Sequence, residues 1–217
     1  MAVSQGGING PVVGKLNKLV SYVLNGQVVV RSIGTVTAQS TVPQLSARMK
    51  TSISSKLLKV LQEFFNVGFS IEVKGSTKNA FNKAVEINSR KMTVGVYPNF
   101  QVDYSKIELS RGILKKGENL LAAATDELIS FSWTADLKMA WPESTDLVMM
   151  IAYFPQENRS VYKIGGNPRS TGADTLTLPP SLKGLHAETY MAFVAADRKQ
   201  VSDSTYLGSL NLPVQQP

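Results

Sequence analysis

Apolar residues in the first part of the chain alternate in a way that predicts paired strands. Two β-prone runs, Lys15–Leu24 and Gln27–Ile33, flank the dipeptide Asn25-Gly26. Asn-Gly favours a two-residue hairpin turn, because both of its residues tolerate a positive φ angle. The sequence therefore predicts a hairpin in which Val23 lies opposite Val28.

A helical period replaces this alternation from residue 41 onward. Thr41 is suited to cap a helix, Pro43 suits its first turn, and Gln44 completes a capping box. The pattern predicts one amphipathic helix of roughly 25 residues that ends at Gly68. Its apolar positions are Leu45, Met49, Ile53, Leu57, Val60, Leu61, Phe64 and Phe65. A second, shorter helix is expected after Ser76.

Short strands are expected in the rest of the chain. Three β-prone runs precede residue 112: Met92–Tyr97, Phe100–Tyr104 and Ile107–Arg111. Six alternating runs follow: Leu128–Ala135, Asp146–Phe154, Ser160–Ile164, Thr175–Leu178, Glu188–Ala195 and Ser204–Leu212. Proline, glycine and asparagine clusters separate them, as is typical of an all-β sandwich.

These elements predict an α+β protein with three parts. Residues 1–14 form a glycine-rich N-terminal arm, and residues 15–119 form an α+β domain with a β-hairpin, two helices and short strands. Residues 120–217 form the β-sandwich domain. The polar stretch Lys115–Asn119 is the expected linker.

The C-terminal part resembles a fibronectin type III or immunoglobulin-like sandwich. The resemblance rests on Phe131-Ser132-Trp133 as an early tryptophan strand, on Val148–Phe154 as the next core strand, and on the late strands Tyr190–Val194 and Ser204–Gly208. It implies two packed antiparallel sheets and says nothing about function.

Nearly the whole chain is similar to an uncharacterised bacterial family, a domain of unknown function. The segments that carry this similarity include Gly14-Lys15, Tyr97-Pro98-Asn99-Phe100, Ser110-Arg111-Gly112 and Tyr206-Leu207-Gly208-Ser209. The resemblance brings no catalytic motif and implies architecture only.

Composition narrows the chemistry further. The 217 residues contain no cysteine and one histidine, which argues against disulfides, thiolate metal sites and paired-imidazole catalysis. No glycine-rich segment has the context of a phosphate-binding loop. We expect no catalytic residue, cofactor or metal, and hence a protein that is not an enzyme. Ser181 and Glu188 are close to His186 in sequence, as a catalytic histidine would need, but we expect His186 to lie on the surface.

Location follows only in part from the sequence. We expect no membrane span and no Sec signal peptide. The protein would then be cytoplasmic, or part of a particle or filament that is exported or released by another route.

Charge is divided unevenly along the chain. The net charge is +10 over residues 1–120 and −3 over residues 121–217. The basic half suggests a module for nucleic acid or another polyanion, bound without sequence specificity. The candidate polyanion contacts are Lys56, Lys59, Lys78, Lys83, Arg90 and Lys91. Lysines that merely solvate a helical module explain the same charge equally well.

Self-association is the leading functional prediction. A glycine-rich arm gains order when it docks on another copy, and an exposed hairpin edge offers a place for an added strand. The candidate assembly contacts are Ile8, Val12, Val13, Tyr22, Val28 and Val30. We expect a non-enzymatic structural protein that forms a homo-oligomer, a filament, or a tail- or capsid-like particle. The polyanion-binding module and a surface adhesin-type sandwich remain as alternatives, and the hydrophobes of the hairpin would equally suit the module's own core.

Overall fold

The computed structural model describes residues 2–4, 10, 12–24, 26–35, 38–125, 127–135 and 138–211. Contacts divide the chain into two compact units, residues 1–44 and residues 45–217. The predicted boundary near residue 120 therefore falls inside the second unit.

The first unit contains a four-stranded antiparallel sheet with its strands in chain order. The strands are β1 (Ala2–Ser4), β2 (Val12–Leu16), β3 (Leu19–Leu24) and β4 (Gln27–Ser32). The predicted register of the hairpin is confirmed, since Val23 pairs with Val28 across β3 and β4.

The N-terminal side of the sheet differs from the prediction. The run expected as one strand from Lys15 is broken by a turn at Asn17, whose φ of 53° lies in the left-handed region that asparagine tolerates. The described part of the arm is paired within its own chain, since Val3 of β1 lies opposite Val13 of β2. Alternation there is interrupted by glycines, which hid these strands from the sequence reading.

The described residues then form three α-helices: α1 (Val42–Val60), α2 (Gln62–Gly68) and α3 (Ala80–Asn88). One of the two hydrogen bonds of the predicted capping box is present, because the Thr41 backbone N–H donates to Gln44 Oε1 at 3.1 Å. The prediction of a single long helix is wrong, because the helix is interrupted at Leu61, between α1 and α2. The Ser160 hydroxyl donates to the Val60 carbonyl at 2.8 Å, so a distant strand satisfies a group at the break.

The remaining strands form three antiparallel sheets. They are β5 (Thr93–Val96), β6 (Asn99–Val102), β7 (Leu121–Ala124), β8 (Leu128–Ser132), β9 (Leu147–Phe154), β10 (Arg159–Pro168), β11 (Ala173–Thr177), β12 (Ala187–Val194) and β13 (Thr205–Leu210). Each of the six predicted C-terminal runs overlaps one of them. Strand β7 was missed, and Ile107–Arg111 contains no strand.

Two of these sheets pack face to face. One has the order β10-β9-β12-β13 and the other β11-β8-β7. The core between them includes Phe131 and Trp133 from β8 and its end, and Met191 and Phe193 from β12. The alternation of Ile129, Phe131 and Trp133 along the sequence predicts that they share one face, and the structure confirms that this face lies in the core.

The helices cover the other face of the sheet β10-β9-β12-β13. A second core joins Phe64 and Phe65 of α2 to Ile151 of β9 and Tyr190 of β12. All eight residues of β12 are buried as a result, because the strand lies between two apolar layers. Residues on both sides of position 120 thus share one core, and the described part of the second unit is an α+β assembly of a helical layer, two packed sheets and the small sheet β5-β6.

Candidate functional site

The N-terminal sheet presents a face made almost entirely of apolar side chains. Residues paired across antiparallel strands point to the same face of the sheet. Pairing of Gly14 with Ser21, and of Ser21 with Val30, therefore places these three residues on one face. We name this surface the apolar face. Its larger members are Val12, Leu16, Leu19, Val23, Val28 and Val30.

All six of these larger side chains are exposed, with exposed fractions between 41% and 61%. None of the described members of the apolar face carries a charge. Gly14 and Ser21 form the bottom of a depression of about 200 Å³ lined by the apolar side chains around them. The Ser21 hydroxyl is buried there without a hydrogen-bond partner among the described residues.

The opposite face of the same sheet holds its charged residues. Register places Lys15 and Arg31 on this side together with Tyr22. The Arg31 guanidinium lies 5.7 Å from the centre of the Tyr22 ring, in cation–π range. The charges of the sheet therefore lie on one face only, although that face also exposes Val3 and Leu24.

The predicted assembly contacts are distributed over both faces. Val12, Val28 and Val30 belong to the apolar face, whereas Val13 and Tyr22 lie on the opposite face. Ile8 lies outside the described residues. The sequence reading missed Leu16 and Leu19, because the turn between them was not recognised.

The second unit contains a cavity of about 460 Å³ whose mouth has two unusually exposed apolar side chains. Trp141 is 80% exposed and Ile113 is 82% exposed. The lining also includes Leu114, Lys115, Pro142, Glu143, Thr145, Asp146, Ala195, Ala196, Asp197 and Gln200. The sequence reading did not single out Trp141, although tryptophan in a polar, proline-containing segment was an available signal.

A buried ion pair lies at this end of the unit. The Arg169 Nη2 is 3.4 Å from Asp146 Oδ2, and both side chains are almost fully buried. Arg169 also donates to the Lys115 carbonyl at 2.6 Å, and its guanidinium lies 3.9 Å from the centre of the Phe193 ring. Burial raises the pKa of Asp146, and the positive charge of Arg169 offsets this only in part.

The predicted polyanion contacts are partly neutralised within the chain. Lys78 pairs with Glu86 at 2.7 Å and Lys83 pairs with Glu72 at 3.0 Å. Lys91 pairs with Glu108. The remaining three, Lys56, Lys59 and Arg90, are exposed. The ion pairs reduce the positive charge that this region offers to phosphates, so the structure favours the polyanion reading less than the sequence does.

The histidine is not the surface residue that we expected. Its side chain is 13% exposed, and His186 Nε2 lies 3.0 Å from Glu188 Oε1. Glu188 Oε2 accepts hydrogen bonds from the Tyr206 hydroxyl at 2.5 Å and from Ser209 Oγ at 2.9 Å. Ser181 Oγ accepts from Arg159. The arrangement satisfies a buried carboxylate within the core.

Tyrosines extend this buried cluster. Burial raises the pKa of Tyr104 to about 12, and burial together with the hydrogen bond to Glu188 raises the pKa of Tyr206 to about 12. Burial also raises the pKa of Tyr190 well above its usual value and raises that of Tyr153. Since the ordinary pKa is near 10, the folded state favours the neutral phenols.

We expect alkaline unfolding to coincide with ionisation of these tyrosines. A folded-state pKa above the unfolded value contributes stability that is complete below about pH 10 and is lost as the pH rises towards about 12. Absorbance at 295 nm and far-UV circular dichroism, recorded over the same titration, should show a shared transition in this range. Tyr206→Phe should reduce the absorbance change of that step. Complete ionisation of all seven tyrosines near pH 10 with an unchanged dichroism spectrum would contradict this expectation.

Among the residues that the structure describes, no helix combines the length and apolar character needed to cross a bilayer. Within those same ranges, no three His, Asp or Glu side chains are grouped as metal ligands.

The fold and surfaces define an α+β protein with antiparallel sheets and an exposed apolar sheet face. Residues 4–208 match a family described as a family of unknown function (DUF6266), and the chain belongs to that family. The predicted near full-length membership in such a family is therefore confirmed. Neither the comparison with curated proteins nor that with solved structures found a match.

Proposed function

We propose that the protein is a non-enzymatic structural subunit that associates with further copies of itself through the apolar face. The observation that carries this proposal is the set of six exposed apolar side chains on one uncharged sheet face, with the charges of the sheet on its other side.

The size of the surface supports an interface. The exposed parts of six valine and leucine side chains amount to roughly 500 Å², which is near the upper limit for the largest apolar patch of a monomeric protein. Two copies that bury this face against each other would remove on the order of 1,000 Å² from water, the lower range for specific interfaces. Burial of apolar area is the main favourable term in such an association.

The shape of the surface suggests how two copies would fit. Gly14 and Ser21 form a hollow, and the exposed side chains of Leu16 and Leu19 lie beside it on the same face. In a twofold arrangement shifted along the strands, the leucines of each copy enter the hollow of the other. Each copy supplies the same knob and the same hollow, as an isologous interface requires. Sheets packed in this way lie about 10 Å apart.

A second contact would extend the pair into a polymer. Among the residues that the structure describes, β4 is a terminal strand of the N-terminal sheet, and the outer backbone groups of a terminal strand can pair with a further strand. A β4-to-β4 contact is also twofold. Two different twofold contacts on each subunit generate a linear chain, so the apolar face alone predicts a dimer and the free edge permits a filament.

Val23→Asp should weaken self-association at least 100-fold, because it places a carboxylate within the apolar face that the association would bury. Leu24→Asp is the matched control. Leu24 is the next residue of β3, is similarly exposed at 51% against 47% for Val23, and points to the opposite face. Light scattering after size-exclusion chromatography, over a wide range of protein concentration, measures the mass of each variant.

The expected result is a concentration-dependent increase in mass for the wild type and Leu24→Asp, and a monomer for Val23→Asp. A wild type that stays monomeric at several hundred micromolar would refute the proposal. So would a Val23→Asp variant that associates as strongly as the wild type.

We also infer that the two-sheet part of the second unit is a fibronectin type III or immunoglobulin-like sandwich. Strands β7, β8 and β11 form one sheet. Strands β9, β10, β12 and β13 form the second sheet, and β12 lies in its centre. The core tryptophan Trp133 lies at the end of β8, and its ring meets Phe193 edge-on. Both features support this class. It gives the subunit a rigid body and leaves its function to the surfaces.

A further inference from the structure

We propose that the cavity beside Trp141 binds a cationic alkyl chain, an alkylammonium or alkylguanidinium group of the kind that ends a lysine or arginine side chain. This site lies wholly within the second unit and is separate from the apolar face.

The walls of the cavity suit the methylene part of such a ligand. Trp141 and Ile113 stand at the mouth with more than three quarters of their surface exposed. Leu114 and Pro142 continue the apolar lining. An indole face also attracts a cation electrostatically, by about 0.5–1 kcal/mol at an exposed site and more where water is excluded.

The charges of the lining favour a positive ligand. Three carboxylates, Glu143, Asp146 and Asp197, line the cavity together with one ammonium group, that of Lys115. Two cations outside the lining lie close to them: Arg169 is 3.4 Å from Asp146 and 3.8 Å from Glu143, and Lys199 is 3.8 Å from Asp197. The Lys115 ammonium lies 3.0 Å from Glu118. With Glu118 counted, four carboxylates lie beside three cations, which leaves one net negative charge for a cationic ligand to offset.

Asp146 is the best-placed acceptor for the charged end. Its side chain is almost fully buried, and its nearest charged partner in the described part of the chain is Arg169, at 3.4 Å. Charge-assisted hydrogen bonds are about 2.7–2.9 Å long, so this pair is loose. Arg169 makes its short hydrogen bond to the Lys115 carbonyl instead. The raised pKa of Asp146 agrees with a carboxylate whose charge is incompletely compensated.

The test compares three probes of matched size: Nα-acetyl-lysine amide, Nα-acetyl-arginine amide and Nα-acetyl-norleucine amide. Isothermal titration calorimetry gives the affinity. Tryptophan fluorescence reports the site itself, since Trp141 is exposed whereas Trp133 is buried. We expect saturable binding of one or both cationic probes and at least tenfold weaker binding of the norleucine probe. n-Butylammonium chloride distinguishes a site for free amines from one that needs the peptide part.

Variants of the two exposed residues at the mouth locate the binding without disturbing the core. Trp141→Ala and Ile113→Ala should each weaken the cationic probe at least threefold. Val96→Ala is the matched control, because Val96 is 81% exposed and is not part of the lining. Asp146→Asn, if it folds, should weaken the cation and leave the norleucine probe unaffected.

Several results would overturn the proposal. Equal binding of the norleucine probe would indicate a purely apolar site, and binding of a neutral disaccharide in place of the cations would indicate a carbohydrate site. Unchanged affinity in Trp141→Ala would place the binding elsewhere. None of these results depends on self-association, because the variants leave the apolar face intact.

Discussion

Replacement of Arg169 by methionine should lower the free energy of unfolding by about 3–5 kcal/mol, the usual cost of removing one partner from a buried ion pair. Methionine retains an unbranched apolar side chain against Phe193 but removes the charge and the donors. The Asp146 carboxylate is then left buried without a cation, and the Lys115 carbonyl loses its 2.6 Å hydrogen bond. Urea unfolding followed by circular dichroism measures the loss.

The control is Arg159→Met, which makes the same chemical change at an exposed position. Arg159 donates one hydrogen bond of 3.3 Å to Ser181, so its loss should stay within about 0.5 kcal/mol. An equal loss in both variants would show that burial of the Arg169 charge contributes nothing specific.

A double-mutant cycle measures the interaction between Arg169 and Asp146. Arg169→Met with Asp146→Asn should be less destabilised than Arg169→Met alone, since no uncompensated carboxylate remains. Additive losses in the double variant would contradict this coupling.

Acid should partly rescue Arg169→Met. Burial already raises the pKa of Asp146 in the wild type, and loss of the nearby cation raises it further. Because the folded-state pKa lies above the unfolded one, the neutral carboxyl favours the folded state at low pH, and this advantage is lost as the pH rises through the folded pKa. The difference between variant and wild type should therefore be smaller at pH 4 than at pH 7.

Replacement of Phe65 by alanine should lower the stability of the second unit by about 3–5 kcal/mol, through lost burial and the cavity that remains. Phe65 is fully buried, and its ring centre lies 6.0 Å from that of Phe81 and 6.5 Å from that of Phe69. The core that contains Phe65 also includes Ile151 of β9 and Tyr190 of β12. We therefore expect the helical layer and the two sheets to unfold together.

The probe for this prediction is the fluorescence of Trp133, which belongs to the other core, between the sheets. In Phe65→Ala, the Trp133 transition and the loss of helical dichroism should move to lower urea concentration by the same amount. The matched control is Phe100→Ala, because this phenylalanine is only partly buried. A Trp133 transition that stays at its wild-type midpoint while the helices melt would instead support separate domains divided near residue 120.

Local interactions explain why some predictions were confirmed. The Val23–Val28 register follows from one turn. The helix start at Thr41 follows from a capping contact with Gln44, only three positions away. Alternation along Ile129, Phe131 and Trp133 identified one buried face correctly, because that face meets a single sheet. Each of these features depends on residues that are close in sequence.

The failures have the opposite origin. The helix break at Leu61 is accompanied by a hydrogen bond from Ser160, about a hundred positions away. The side chain of His186 is largely covered, and Glu188 lies beside it with hydrogen bonds from β13. In the candidate site, the sequence identified Val12, Val28 and Val30 but missed Leu16 and Leu19, since the face on which they lie depends on the turn at Asn17.

Sequence alone determined the α+β class, most of the strands and the hairpin register, because periodicity and turn chemistry act over a few residues. Membership in the family followed from the resemblance of sequence segments along nearly the whole chain. Tertiary structure decided which strands are buried on both faces, as β12 is, and which apolar residues remain exposed, as on the N-terminal sheet. It also decided that Arg169 lies in the core beside Asp146. The physical reason is that burial depends on what packs against a side chain, and those neighbours come from distant parts of the chain.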